Sequence, residues 1–186
     1  LTHPHLDHFG GLISVLEKIK VENIIGNGEA SDSSAYRRFK ELIRLNKIKY
    51  QLGRAGEVID FGANVKAFVL NPVGIIPGRT NSNSVVLRLL YNQVSFLLTG
   101  DLEQDGEEGL AGFPLRSSIL KVGHHGSRTA TSDEFLDAVN PRLAVISAGR
   151  HNRYRHPHQA TINKLLARGI KIYRTDRDGA ITIKTD

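Results

Sequence analysis

Thr2-His3-Pro4-His5-Leu6-Asp7-His8 holds four metal-ligand side chains within six residues. Any fold of this chain must keep His3, His5, Asp7 and His8 in one loop and bring further donors to them. Two imidazoles at i and i+2 reach one ion from a turn or an extended segment, and Asp7 and His8 can point to a second position. Pro4 stiffens the loop and lowers the entropy lost on ordering its ligands. The remaining histidines are grouped as well. All eight fall in three stretches: this one, His124-His125, and His151 to His158. Histidine used as core filler does not gather in this way, so the chain reads as a metal protein. A mixed carboxylate and imidazole set suits Zn²⁺ or Mn²⁺.

The other two clusters each follow a segment of strand type. Ile119 to Val122 runs into Gly123-His124-His125-Gly126-Ser127, and Leu143 to Ser147 precedes the stretch from His151. Asp101 follows the apolar run Phe96-Leu97-Leu98. Helical patterns separate the strands. Leu12, Val15, Leu16 and Ile19 share one face, and Ser31 to Leu45 is helical with Ser31 or Asp32 as its cap. Ser84 to Leu90 and Gln93 to Leu98 form a hairpin about Tyr91-Asn92. Thr131-Ser132-Asp133-Glu134 opens another helix as a capping box. Pro157 to Arg168 is helical, and Ile170 to Tyr173 and Ala180 to Ile183 are expected as final strands. Strand, polar loop and helix repeat in a layered α/β pattern, with the ligand-type residues at strand ends.

With 186 residues the chain can bury one good core. It has no cysteine, which excludes disulfides and thiolate metal sites. No apolar run is long enough to span a bilayer, and there is no secretory signal. The motif begins so near Leu1 that the strands expected ahead of it are missing, so residues 1–186 read as one N-terminally incomplete domain. The formal charge is +6. It is concentrated between Pro141 and Arg177, where nine basic residues accompany the single acid Asp176. That stretch is either a solvated surface or a contact for an anion such as a nucleic-acid backbone.

Asp101 alone would be a turn residue or helix cap; beside the first motif it becomes a candidate carboxylate between two cations. His124 and His125 divide between metal and substrate, or form a hydrogen-bonded loop pair. His156, fixed before Pro157, is favoured for ligation or proton handling over His151 and His158. Lys121 and Ser127 are candidate phosphate contacts, as are Arg150, Arg153 and Arg155. Asn81-Ser82-Asn83-Ser84 opens a strand leading back toward Asp101, and its amides either organise the loop or lie behind the ligands.

His3-Pro4-His5-Leu6-Asp7-His8-Phe9-Gly10-Gly11 resembles the signature of the metallo-β-lactamase superfamily. Asn83-Ser84-Val85-Val86-Leu87, Leu97-Leu98-Thr99-Gly100-Asp101, Leu120 to Ser127, and Asn152-Arg153-Tyr154 with His156-Pro157-His158 look like the hydrolase domain of the ComEC family of bacterial DNA-uptake channels. The resemblance implies a four-layer αβ/βα sandwich with two divalent ions, Mn²⁺ or Zn²⁺, between its sheets. It implies His3 and His5 at one ion, Asp7 and His8 at the other, and Asp101 between them; His124 and His125 stand as further candidate ligands. The third histidine usual in the wider superfamily has no counterpart between His8 and His124, where Asn81, Ser82 and Asn83 stand instead.

The implied activity is hydrolysis of DNA, of the strand not imported during transformation. Asp7 would orient the attacking hydroxide, and His156 or His125 would handle protons. The implied partners are single-stranded DNA and a membrane channel domain of the same parent protein. The implied location is the extracytoplasmic face of the bacterial cell membrane. Two other readings fit the same residues. One is a hydrolase of small esters or phosphodiesters on this fold. The other is a nucleic-acid-binding module with a vestigial metal site.

Overall fold

In the computed structural model, which describes residues 1–185, apolar periodicity sorts the chain into two unequal sheets. Helix α1 (Leu6–Lys18) leads to strand β1 (Asn23–Gly26), and α2 (Ser34–Leu45) leads to β2 (Lys49–Leu52). Strands β1 and β2 pair in parallel, with Ile24 opposite Tyr50. Phe9 and Leu16 of α1 and Tyr36, Phe39, Leu42 and Ile43 of α2 are buried together with Ile24. Phe9 packs edge-on against Tyr36, with ring centroids 5.2 Å apart. The cap of α2 is Ser33, one residue beyond the expected pair, and its hydroxyl accepts from the Tyr36 N–H at 3.2 Å.

The larger sheet has seven strands in the order of the chain: β3 (Val58–Asp60), β4 (Val65–Asn71), β5 (Val86–Tyr91), β6 (Val94–Leu98), β7 (Ile119–Lys121), β8 (Leu143–Ile146) and β9 (Lys171–Arg174). Strands β3 to β6 are antiparallel; short turns join β3 to β4 and β5 to β6, and the long loop 72–85 joins β4 to β5. The expected hairpin is β5–β6, with Tyr91 opposite Val94 and Asn92 at φ 50° in its turn. From β6 to β9 the pairing is parallel, which requires crossovers. The crossovers carry α3 (Gln104–Glu108), α4 (Asp133–Val139) and α5 (Gln159–Ala167). The apolar faces of α4 and α5, with Leu102 and Leu110 on either side of α3, close over Val86, Leu97, Leu120, Ala144 and Ile146 to make the main core.

The Ser132 hydroxyl caps α4 by accepting from the Phe135 N–H at 3.2 Å. The expected strand at Ala180 to Ile183 does not form. After β9 the chain makes one helical turn, α6 (Thr175–Asp178), because the Asp178 carboxylate takes the Arg174 N–H at 2.8 Å and draws the backbone out of the sheet.

The layers are therefore helices, small sheet, large sheet, helices. The Val85 N–H donates to the Thr2 carbonyl at 2.9 Å, so the loop carrying the first motif is fastened to the start of β5. The parallel strands β7 and β8 end on the same side as that loop. No helix among the described residues is long and apolar enough to cross a membrane.

Candidate metal centre

Three loops meet at Asp101. The first is the turn into α1, where His5 is the last extended residue before the helix. Asp7 and His8 therefore project from the first helical turn, while His3 lies ahead of it and is fully buried. The second follows β6, where Gly100 adopts φ 56°. A side chain at Gly100 would come within 2.9 Å of Ser84 and 3.0 Å of Thr2, so only glycine lets the Asp101 loop lie against both neighbours. The third follows β7, a tight turn over Gly123–Gly126. His124 and His125 are both left-handed there, at φ 44° and 54°. Two adjacent non-glycine residues in that region cost about 1–2 kcal/mol each. The strain sits where both imidazoles are turned into one cleft. Gly126 packs against Pro157, where a Cβ would lie 2.5 Å from the ring.

Asp101 is buried, and its Oδ2 is the point of convergence. His8 Nε2 lies 3.2 Å from it and His125 Nε2 3.3 Å. His3 Nε2 and His124 Nε2 stand at 3.9 and 4.0 Å. Asp7 Oδ2 reaches His125 Nε2 at 3.3 Å from the solvent side. Donor atoms of Asp7, His8, Asp101 and His125 all lie within 4.8 Å of one another. His5 Nδ1 is 2.9 Å from His3 Nε2.

The ring orientations are set from behind. His125 Nδ1 donates to the Ser147 carbonyl at 2.7 Å. The Thr2 hydroxyl contacts both His8 Nδ1 at 3.0 Å and His3 Nδ1 at 3.1 Å, and Ser84 Oγ adds a contact to His3 at 3.2 Å. Ser84 Oγ also accepts the Asp101 N–H at 3.1 Å. His124 Nδ1 donates to Glu103 Oε1 at 3.1 Å. Metal-binding histidines characteristically have the second ring nitrogen engaged in this way.

These residues fit a divalent cation. A carbonyl can only accept, so the neutral His125 ring carries its proton on Nδ1 and aims the Nε2 lone pair at two carboxylates and at His8 Nε2, 3.3 Å away. Lone pairs facing carboxylate oxygens repel unless a proton or cation lies between them. Asp101 Oδ1 is buried without a hydrogen-bond partner. A buried polar atom in that state is costly unless something unlike protein satisfies it.

Protonation follows the same logic. In the metal-free protein a proton takes the place of the cation: burial alone would raise the Asp101 carboxyl, but hydrogen bonds from protonated His125 and from His8 outweigh it and hold the group below the usual carboxylate range. The Asp101 bond likewise raises His125. Burial, with His8 beside it, lowers His3 to about 3. Burial and the neighbouring His124 lower His156 to about 4.

The other expected site residues lie around this cluster at different depths. His156 stands with its ring centroid 5.5 Å from that of His124 and stacked at 5.7 Å on Tyr154. Asn152 pins it on both sides, accepting the His156 N–H at 2.8 Å and donating to its carbonyl at 2.7 Å. A groove of about 440 Å³ runs past Asp7, His125, Arg153, Tyr154 and His156. Arg155 is exposed in the same loop, and Arg150 Nε donates to the Asp176 carbonyl at 3.3 Å.

His158 is turned away, accepting the Arg128 N–H at 3.0 Å, and His151 is exposed. The Lys121 ammonium donates to the carbonyls of Gly100 at 3.2 Å and Val122 at 3.0 Å, under the Asp101 loop. Burial pushes it below its ordinary value, against the pull of Asp101. Ser127 is buried and shares a hydrogen bond with the Thr129 hydroxyl at 2.9 Å. Asn83 is buried and joined to Ile76 and Glu29. Thr2, Ser84, Glu103 and Asn152 are further partners of the histidines, and none is among the candidate site residues of the sequence. Thr2 and Glu103 were signalled by adjacency to His3 and Asp101.

The family model of the metallo-beta-lactamase superfamily matches residues 1–150. The chain belongs to that superfamily. Among curated proteins, it is 35% identical over 184 residues to the ComE operon protein 3 of Bacillus subtilis, covering 97% of this chain and 24% of that protein. It is 47% identical over 104 residues to the competence protein ComA of Neisseria gonorrhoeae, covering 54% of this chain and 15% of that one. The chain thus spans about a quarter or less of the length of these competence-protein relatives. Its fold is shared with CmlA, a diiron β-hydroxylase from Streptomyces venezuelae, at TM-score 0.62 and 13% identity over 93% of this chain and 42% of that one. This superfamily chain has a metal-binding site compatible with a metal-dependent hydrolase.

Proposed function

We propose that this superfamily member is a metal-dependent phosphodiesterase that degrades DNA, and that its substrate is the strand not taken up during transformation. The observation that carries the reading is Asp101: a buried carboxylate with one oxygen unpartnered and the other ringed by imidazoles, beside Asp7 and His125, which line a groove that Arg153 borders. The competence-protein relatives and the resemblance in the sequence support DNA as the substrate class.

Two divalent ions, Mn²⁺ or Zn²⁺, would be held by His3, His5, Asp7, His8, Asp101, His125 and His124. When bound they supply Lewis acidity at a phosphoryl oxygen and a nucleophile at neutral pH. Asp7, exposed at the rim, accepts a hydrogen bond from water and orients it toward the phosphorus. His156, lowered to about 4, is neutral at pH 7 and has a lone pair free to take a proton. His125 is fixed by Ser147 and presents Nε2 alone to the cleft. Arg153 and Arg155 offset the charge that builds on the equatorial oxygens, with Arg150 farther out. Lys121 and Ser127 contribute by holding the Asp101 and His125 loops in place as well as by their charge and hydroxyl. In the parent protein a membrane channel domain would place this domain on the extracytoplasmic face.

The test is cleavage of labelled single-stranded DNA by chelated protein with Mn²⁺ or Zn²⁺ restored, beside Asp101→Ala. Cleavage should require metal and fall by about 10³ or more in the variant. Cleavage of small phosphodiesters without DNA cleavage would transfer the reading to a small-molecule hydrolase. Undiminished DNA cleavage by the Asp101 variant would refute the centre.

A further inference from the structure

We propose that a second groove, at the end of the large sheet opposite the metal centre, binds the phosphate backbone of a nucleic-acid strand. This deepens the DNA reading above by giving the strand a contact away from the centre. Strands β7 and β8 run in parallel, and their far ends carry His124, His125 and Ser147. Their near ends begin at Ser118 and Arg142. From Ser118 to Val122 is four residues of strand, or about 13 Å.

At that near end lies a groove of about 820 Å³. Arg88, Arg116, Arg142 and Arg168 line it, and Ser95 and Ser118 lie at its floor. Among the described residues no carboxylate borders it. Arg168 is neutralised from outside by Asp133 at 2.8 Å and Asp137 at 2.9 Å. Arg88 spends only its Nε, on the Arg116 carbonyl at 3.1 Å. Among the described residues the exposed guanidinium groups of Arg116 and Arg142 have no ion pair. Three unneutralised guanidinium groups in one concavity repel one another, and folding alone gives no reason to gather them. Guanidinium forks match phosphate oxygens two at a time, and the hydroxyls supply further donors.

Charge alone would also suit an anionic membrane surface. The groove is concave, however, and none of the exposed large apolar side chains lines it. A lipid-binding face would present such side chains for insertion. Phosphates strung along a strand fit a lined trough better.

The experiment measures fluorescence anisotropy of a labelled oligothymidylate with the whole chain in chelator, so that binding is read without cleavage. It is repeated over a range of salt with wild type, Arg116→Gln/Arg142→Gln and, as a comparison at the centre, Arg153→Gln. Circular dichroism checks that each variant is folded. The double variant should bind about tenfold more weakly, and its slope of log affinity against log salt should be shallower by about 1.4, two contacts at about 0.7 each. Affinity and slope equal to wild type in the folded double variant would overturn the proposal. So would binding to phosphatidylglycerol vesicles without binding to the oligonucleotide. Metal-dependent cleavage is scored separately on wild type. A protein that binds through these arginines yet cleaves no DNA would keep the groove and lose the nuclease reading.

Discussion

His3 and His125 lie on either side of Asp101, yet their protonation runs in opposite directions. His3 is buried and lowered from an ordinary 6.5 to about 3, whereas the Asp101 bond raises His125. In chelated protein, a histidine with a lowered folded pKa contributes stability that is present above pH 6.5 and lost as pH falls toward that folded value. His156, lowered to about 4, acts in the same sense. His125 opposes them, since its contribution is present below 6.5 and lost as pH rises through its raised value. Two histidines are lowered against one raised, and His3 is the most deeply buried of the three, so the metal-free protein should lose stability between pH 7 and pH 4. His3→Asn should flatten that dependence in urea melts taken across this range; an unchanged slope would show that His3 is not held neutral. At this scale the sequence was legible where residue type is rare and chemically marked. His3, Asp101 and His125 could be picked out because few folds need clustered imidazole. Thr2, Ser84 and Asn152 could not, because hydroxyls and amides occur everywhere and only their approach to a ring nitrogen gives them a role.

Elements place these residues, and loop anchors keep the elements in register. Glu107, the buried acid of α3, accepts the N–H groups of Thr131 at 2.5 Å and Ser132 at 2.9 Å. It therefore holds the entry to α4 and, through that segment, the turn carrying His124 and His125. Burial pushes its carboxyl up, against those two bonds. Glu107→Gln keeps one acceptor but sets an amide N–H₂ against a backbone N–H. The loss should be about 1–3 kcal/mol, lowering Tm by roughly 2–4 °C for each kcal/mol in a chain of this size. A Tm unchanged in the variant would show that the anchor is dispensable. Strand periodicity made β5 through β8 readable, as did the Ser132 cap. Ala180 to Ile183 alternates like a strand but meets no partner, because the Asp178 carboxylate has already turned the chain away from β9. The pairing of a carboxylate with one backbone N–H is invisible to periodicity. The groove of arginines was half visible. Its residues come from β5, β6, the approaches to β7 and β8 and the end of α5, and only the fold brings them side by side.

At the scale of the molecule the two halves are held very differently. The large sheet is sealed by the crossover helices α4 and α5 over a continuous core. The first half rests on two helices over a two-stranded sheet, which is marginal by itself. Its ties to the large sheet include the Thr2 carbonyl on Val85 and the imidazoles of His3 and His8 beside Asp101. A cation held by Asp7 and His8 from the first half and by Asp101 and His125 from the second is therefore a clamp across the sandwich. Ligand present at about 100 times its Kd stabilises the state that binds it by about 2.7 kcal/mol. That gain should appear where the fold is weakest. Hydrogen exchange read by mass spectrometry, with and without Mn²⁺ or Zn²⁺, should show slowed exchange in α1, β1 and α2. The amides of β7 and β8, already within the main core, should change little. Asp101→Ala should remove the added protection while leaving the metal-free pattern of α2 in place. Equal protection of both halves on adding metal, or added protection that survives in the variant, would mean that the two halves are coupled through their packing and not through the centre between them.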